Sequence, residues 1–216
     1  MAHRQGVPQP FSCDFLLAPA SKKENPNAMR YFDTPVILML SEEDFAKARE
    51  FAAAVVPTVN YRDSLQFNTE KIRDDHFVSK LGEEAVRQVF ESLALQVQGP
   101  DYTIYNGKQK SWESDLYVND VALAVKTQRK SAAQRYGLSW TFQKSRFRTD
   151  PILQNPEAWV CFVEFDDVAA TPYFTIFPPF QIKNLPFKAP RLARLIDKKI
   201  AVYAEDFLEN YCNIKS

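Results

Sequence analysis

Histidine, cysteine and glycine are scarce in this chain of 216 residues, and each scarcity excludes a kind of site. Two histidines and three widely spaced cysteines (Cys13, Cys161 and Cys212), with no Cys-x-x-Cys pair, argue against a structural zinc site. The five glycines are scattered singly, so the chain has no glycine-rich loop that would cradle a nucleotide phosphate. Cys161 lies within an apolar run, which predicts a buried free thiol.

Long apolar runs and net charge are absent as well. No run approaches the ~18 apolar residues of a membrane span, and the N-terminus lacks the charged-then-apolar pattern of a secretion signal. We therefore expect a soluble protein of the reducing cytoplasm with no membrane partner. The 27 basic and 27 acidic residues cancel, so a nucleic-acid surface would have to come from local clustering of charge.

A β-hairpin is predicted in the stretch KSWESDLYVNDVALAVKTQ, residues 110–128. Its first strand begins at Asp115, an Asn119-Asp120 turn follows, and its second strand begins at Val121. Because side chains alternate along a strand, Leu123 and Val125 face away from the polar side. The residues predicted to share the polar side are Glu113, Asp115 and Tyr117 in the first strand and Ala124, Lys126 and Gln128 in the second.

A carboxylate beside a lysine suits the hydrolysis of phosphodiester bonds. Carboxylate oxygens are ligands that Mg²⁺ prefers, and a lysine can orient the attacking water and balance charge on the phosphate. Asp115 and Lys126 are the pair in question, with Glu113 nearby. The alternative is a surface hairpin with an ordinary ion pair.

The pattern resembles that of the PD-(D/E)xK nucleases, the restriction-endonuclease-like superfamily. Asp115 takes the place of the aspartate at the strand start, and Lys126 that of the lysine at the end of the next apolar strand. Ala124 departs from the pattern, which has Glu, Asp or Gln two residues before the lysine, and Ser114 replaces its proline. The resemblance covers about residues 75–180 and implies a mixed central β-sheet flanked by helices.

A helix is predicted from Asp75 to Leu95, interrupted or beginning near Gly82. Val86, Val89, Phe90 and Leu93 form its inward stripe. At ~100° per residue, Glu83 lies ~60° from the centre of that stripe and Glu84 ~160° away, so Glu83 is expected to face the core. The resemblance implies that Glu83 reaches the metal site. The alternative is an acid favoured by the helix dipole.

Ala124 leaves three accounts open. The chain is an inactivated variant of an enzyme with an acid at this position, or it draws its second carboxylate from Glu83 or Glu113 with Gln128 as a polar helper, or it is a binding module that does not cut. The resemblance implies Mg²⁺, with Mn²⁺ as a substitute, held by Asp115, Glu83 and the Val125 carbonyl.

Residues 126–148 hold seven basic residues and no acidic one. Besides Lys126 these are Arg129, Lys130, Arg135, Lys144, Arg146 and Arg148, and the aromatic residues Tyr136, Trp140, Phe142 and Phe147 lie among them. Positive charge next to the Asp115–Lys126 hairpin favours a DNA-binding surface. The alternative is a solvated basic face, with Trp140 and Phe142 in the core.

The rest of the chain predicts an α/β domain with an N-terminal extension, residues 1–74, packed on a nuclease-like core, residues 75–216. The extension comprises an arm over residues 1–30, a buried strand in PVILML (Pro35 to Leu40), and a helix that Ser41 caps and Pro57 ends. Further strands are predicted at Tyr102–Tyr105, before an Asn106-Gly107 turn, at Trp159–Phe165 and at Tyr173–Phe177. A basic amphipathic stretch is predicted at Leu192–Ile200, and a terminal helix at Glu205–Asn210.

The function that the resemblance implies is Mg²⁺-dependent hydrolysis of DNA by an endonuclease. A type II restriction enzyme, often a homodimer that cuts both strands, is the leading role, and a phage or repair nuclease is the next. The rival is a non-catalytic nucleic-acid-binding or assembly protein on the same fold.

Overall fold

The computed structural model describes residues 31–58, 68–105 and 114–206. These residues form a mixed α/β fold. The helices are α1 (Glu42–Val55), α2 (Thr69–Ser92) and α3 (Lys130–Tyr136). The strands are β1 (Val36–Leu38), β2 (Val97–Gln98), β3 (Leu116–Val118), β4 (Val121–Arg129), β5 (Ser139–Gln143), β6 (Trp159–Asp166), β7 (Tyr173–Ile176), β8 (Phe180–Gln181) and β9 (Lys199–Tyr203).

Seven of the strands form one mixed sheet in the order β1-β7-β6-β4-β3-β2, with β8 paired to β6. Strands β4 and β6 run parallel, and the other pairs in the sheet are antiparallel. The connection from β4 to β6 passes through α3 and β5. Strands β5 and β9 form a separate two-stranded antiparallel sheet. The predicted mixed sheet with flanking helices is therefore confirmed.

The sheet is covered on both faces, which explains the nearly continuous apolar sequence of β6. On one face, Cys161, Val163 and Phe165 pack into a core with residues of α1 and α2. On the other face, Val160 and Phe162 pack with residues of β5 and β9. The thiol of Cys161 is buried and free, as predicted, and burial raises its pKa.

Helix α2 runs through Gly82 without a break, so the predicted interruption is wrong. A Cβ atom at this position would lie 1.8 Å from Oγ1 and 2.9 Å from Cβ of Thr127 on strand β4. Glycine is needed here because the helix and the strand approach closely, and the helix tolerates its low helical propensity. This contact fixes the depth at which the next residue, Glu83, enters the fold.

The elements of the predicted extension are present where the structure describes them. Ser41 caps α1, with its Oγ accepting a hydrogen bond from the Asp44 N–H at 3.2 Å and the Asp44 carboxylate accepting from the Ser41 N–H at 3.0 Å. Strand β1 is present, but its predicted burial is wrong, because Ile37 and Met39 are 60% and 64% exposed on an edge strand. Phe45 of α1 contacts Phe77, Phe165 and Phe174.

The predicted strand at residues 101–105 is wrong, because these residues form no strand and β2 pairs with β3 instead. The basic amphipathic stretch, residues 192–200, contains a 3₁₀ turn at Ala193–Leu195 and the start of β9. Residues 204–206 form a 3₁₀ turn, and the remainder of the predicted terminal helix lies outside the described residues.

The predicted N-terminal arm and Asn106-Gly107 turn also lie outside the described residues. Within those residues, no helix has the length and apolar character needed to cross a membrane.

Candidate active site

Asp115 lies where the β3–β4 hairpin opens. The register pairs Leu116 with Leu123. Continued by two residues on each strand, it would pair Val125 with Ser114, which lies just outside β3. The Asp115 carboxylate takes the place of that partner and accepts a hydrogen bond from the Val125 N–H at 2.8 Å. Because N–H and C=O of one strand residue point to the same side, the Val125 carbonyl also faces the opening beside Asp115.

The hairpin turn follows the sequence signal closely. Asn119 and Asp120 have φ values of 45° and 64°, the left-handed conformation that a type I′ turn requires at both positions. This turn fixes the register and therefore which side chains share a face. Lys126 lies on the face opposite the Leu116, Leu123 and Val125 side chains, which belong to the core on the helical side, and Asp115 lies at the open end of the hairpin beside the Val125 N–H.

Lys126 makes an ion pair that the sequence did not predict. Its Nζ lies 2.7 Å from Oδ2 of Asp150 and 5.0 Å from the centre of the Phe142 ring. The Lys126 and Asp150 side chains are only 26% and 18% exposed. Asp150 is held in place by its N–H, which donates to the Gln143 carbonyl at 2.8 Å. Because 24 residues separate the partners, no local pattern could have revealed the pair.

Glu83 is 3% exposed and brings a second carboxylate to the site from α2. Its Oε1 accepts from the Ser79 hydroxyl at 3.1 Å, and its Oε2 lies 2.5 Å from Nζ of Lys80. The expected inward orientation of Glu83 is thus observed. Lys80 was missed, although its position three residues before Glu83 is the helical spacing of an ion pair.

The electrostatics tie these groups into one site. Burial and the negative charge of Asp115 raise the pKa of Glu83 to about 7, although Lys80 opposes the shift. Burial likewise raises the pKa of Asp115, against the opposing charges of Lys126 and Lys80 and the hydrogen bond from Val125. The negative charge of Asp150 adds to the rise for Asp115. Three carboxylates and two ammonium groups therefore act on one another.

The described side chains do not by themselves form a metal site. Within the described ranges, no three His, Cys, Asp or Glu side chains are gathered closely enough to hold a metal ion by themselves. Mg²⁺ is usually bound through one or two carboxylates, with water and substrate phosphate completing its coordination. The Asp115 and Glu83 carboxylates, which repel each other in a buried setting, and the Val125 carbonyl fit that smaller requirement.

Ala124 and Gln128 flank Lys126 on the same face, but neither supplies a charge. Ala124 packs against the core formed with β5 and β9. The Gln128 side chain accepts from the Ser139 N–H at 2.6 Å and donates to the Gly137 carbonyl at 3.4 Å. Gln128 therefore ties β4 to the start of β5. Glu113, the remaining predicted ligand, lies outside the described residues.

The predicted outward orientation of Glu84 on α2 is wrong. This residue was expected to point away from the core, yet it is 1% exposed. Its carboxylate accepts from the Arg87 guanidinium and, at 3.4 Å, from the Tyr102 hydroxyl. Helix α1 packs against α2, and Phe51 of α1 contacts the Tyr102 ring, so α2 is covered on two sides. One inward stripe cannot describe such a helix.

The basic segment is divided by its contacts. Arg129 pairs with Asp74 and with Asp167, and Lys130 lies 2.5 Å from Asp166, whose pKa its hydrogen bonds hold at about 2. These charges are largely neutralised within the fold. Arg135, Lys144 and Arg146 are exposed, and Arg148 is half-buried. Trp140 and Phe142 belong to the core, as the alternative reading of the basic segment predicts.

A cleft of about 220 Å³ opens beside Lys126. Its walls include Gln128, Tyr136, Ser139, Thr141 and Arg191. The Arg191 guanidinium stacks on the Tyr203 ring at 4.2 Å and pairs with Glu205. Lys126 therefore borders a space that opens to solvent, and Arg191 is the other basic residue that lines it.

No family model, curated protein or solved structure matches this chain. The structure itself defines a mixed α/β protein with partly buried carboxylate and lysine side chains near the open end of a hairpin.

Proposed function

We propose that this protein is a Mg²⁺-dependent endonuclease that hydrolyses DNA phosphodiester bonds, on a core like that of the PD-(D/E)xK nucleases. The observation that carries the proposal is the arrangement at the open end of the hairpin, where the Asp115 carboxylate accepts from the Val125 N–H at 2.8 Å and Lys126 is the next residue of that strand. The order of helix α2, strand β2 and hairpin β3–β4 supports it, because that order is expected of this nuclease core.

In this proposal each group has a separate role. Asp115, Glu83 and the Val125 carbonyl hold the cation, Mg²⁺ or Mn²⁺, which supplies Lewis-acid stabilisation of charge on the phosphate. Lys126 orients the attacking water and balances charge on the phosphate as the phosphorus–oxygen bond breaks. Asp150 fixes the position of the Lys126 ammonium through their 2.7 Å ion pair. Asp150 thus provides an acid next to the lysine although position 124 does not.

The DNA backbone is held by the exposed part of the basic segment. Arg135, Lys144, Arg146 and Arg148 are the residues proposed for phosphate contact, while Arg129 and Lys130 position the segment through their acidic partners. A type II restriction enzyme and a phage or repair nuclease both match this chemistry. Two copies of the site related by a two-fold axis would cut the two strands of a duplex together, so a homodimer suits the restriction role.

A second candidate is a non-catalytic nucleic-acid-binding or assembly protein on the same fold. The observation that favours it is Ala124, together with the pairing of Lys126 with Asp150 and of Lys80 with Glu83. In such a protein the cluster would be a satisfied ion network with no reaction to perform. Both candidates predict binding that weakens steeply with salt, so binding does not separate them.

Cleavage separates them. Supercoiled plasmid and circular single-stranded DNA are incubated with the protein and Mg²⁺ or Mn²⁺, and nicked and linear products are counted on a gel. The proposal predicts that cutting falls about 100-fold or more in Lys126→Ala and in Asp115→Asn. The matched control is Asp120→Asn, the same chemical change at the exposed hairpin turn, which should leave cutting unchanged.

Ala124→Glu distinguishes an inactivated enzyme from a binding module. Cutting by the present chain supports the enzyme directly. Cutting by Ala124→Glu alone, abolished when Lys126→Ala is added, identifies an enzyme that lacks its second acid. If neither chain cuts either DNA with either ion, the endonuclease proposal is wrong and the binding module is the better account.

A further inference from the structure

The basic loop, residues 144–149, is a compact turn that projects from the end of β5. Lys144 and Thr149 form a β-bridge at its base. The Ser145 N–H donates to the Arg148 carbonyl at 2.9 Å, and the Ser145 hydroxyl accepts from the Arg148 N–H at 3.0 Å. These bonds define the shape of the loop before any partner arrives, so a ligand does not have to order it.

Phe147 stands at the tip of this loop and is 78% exposed. The other aromatic residues of the basic segment behave differently, since Trp140 and Phe142 are 2% and 0% exposed and Tyr136 is 40% exposed. The Arg146 guanidinium lies over the Phe147 ring at 4.3 Å from its centre. A large apolar ring held in water beside two arginines contributes nothing to the cores and is available to a partner.

Positive charge surrounds this ring and continues towards Lys126. The Lys144 N–H donates to the carbonyl of Lys198, whose side chain is exposed, so two further lysines, Lys198 and Lys199, border the loop. Burial lowers the pKa of Lys199, and the neighbouring charges of Lys126, Lys71 and Arg148 lower it further, whereas Asp75 opposes them. Asp150, which directly follows the loop, is paired with Lys126.

We propose that the basic loop binds a single-stranded segment of DNA, with Phe147 stacked on an unpaired base and Lys144 and Arg146 on the flanking phosphates. Exposed aromatic rings set in a cationic groove are the means by which proteins bind unpaired bases, whose flat faces are free. Bases within a duplex are covered by their neighbours, so they offer no face to Phe147. The placement of this segment beside a cleavage site rests on the proposed function, but the binding does not.

The test measures binding of a labelled oligothymidylate about 15 nucleotides long in the absence of divalent ions. Binding is read from the fluorescence anisotropy of the label. Phe147→Ala should weaken binding about 5- to 150-fold, the loss that corresponds to one stacked base. Phe147→Trp should bind as tightly as the parent or more tightly, because it keeps a stacking surface. The matched control is Val168→Ala, which trims an exposed apolar side chain in the turn between β6 and β7 and should change nothing.

An abasic oligonucleotide of the same length separates stacking from charge. Phe147→Ala should bind it as the parent does, whereas Arg146→Ala should weaken binding to both oligonucleotides. The proposal is overturned if the parent does not bind oligothymidylate at low salt, if Phe147→Ala binds it with unchanged affinity, or if that variant loses as much affinity for the abasic strand. Because no metal is present, these outcomes are independent of whether the protein cuts DNA.

Discussion

Glu83→Gln should change how the stability of the protein depends on pH. The Glu83 carboxyl is buried near Asp115 and Lys80, and its pKa is raised from 4.5 to about 7. A raised pKa means that the folded protein binds the proton more tightly than the unfolded chain does. The stabilisation from this proton is complete below the unfolded pKa and is lost as the pH rises through the folded one.

The size of the effect follows from that shift. Between pH 4.5 and pH 7 the folded carboxyl keeps its proton while the unfolded one releases it, so the free energy of unfolding falls by about 3 kcal/mol. Glutamine does not titrate, so the variant lacks this decline.

The assay is urea unfolding of both proteins at about pH 4.5 and about pH 8, without divalent ions. The quantity to compare is the difference between variant and parent free energies of unfolding, which should shift by about 3 kcal/mol in favour of the variant at the higher pH. Any loss of stability that is the same at both pH values, such as that from leaving Lys80 without its partner, cancels when the two differences in free energy of unfolding are compared. Glu157→Gln, at a side chain 64% exposed, is the matched control and should show no such shift. Equal pH dependence of the Glu83 variant and the parent would refute the reasoning.

Two further changes test the packing that positions the site, both read from urea unfolding. Gly82→Ala should lower the free energy of unfolding by about 3 kcal/mol, since the new Cβ would overlap Thr127, and adding Thr127→Ala should restore part of the loss. A Gly82→Ala protein as stable as the parent would contradict the close approach of α2 to β4. Ser41→Ala should cost about 1 kcal/mol by removing the cap of α1, whereas Ser41→Asp, an equally good cap, should cost little. Equal stability of Ser41→Ala and Ser41→Asp would count against the cap.

Local signals were enough to predict the hairpin. Alternating apolar residues and an Asn119-Asp120 turn specify both strands and their register within about a dozen residues. That register places Lys126 on the face opposite Val125 and brings the Asp115 carboxylate to the Val125 N–H. The faces of α2 were predicted for Glu83 but not for Glu84, because the covering contributed by α1 and Tyr102 comes from distant parts of the chain.

The rest of the site could not be predicted because it depends on contacts between distant parts of the chain. Strands β5 and β9 pair with each other, with Gln143 opposite Lys199. The sequence of neither strand is apolar enough to predict a strand by itself. Asp150 reaches Lys126 because β5 packs over the face of the main sheet that carries Lys126, whereas in the sequence Asp150 is only the residue before a proline. The prediction of a strand at residues 101–105 is wrong because β2 occupies the position beside β3.

Manganese binding tests the central claim most directly. Mn²⁺ is titrated into the protein and the free ion is followed by electron paramagnetic resonance, with Mg²⁺ as the competitor. The account predicts one saturable site per chain that is lost in Asp115→Asn, weakened in Glu83→Gln and retained in Asp120→Asn. Binding that is absent from the parent, or equally strong in Asp115→Asn and Asp120→Asn, would contradict a metal-dependent site at the open end of the hairpin.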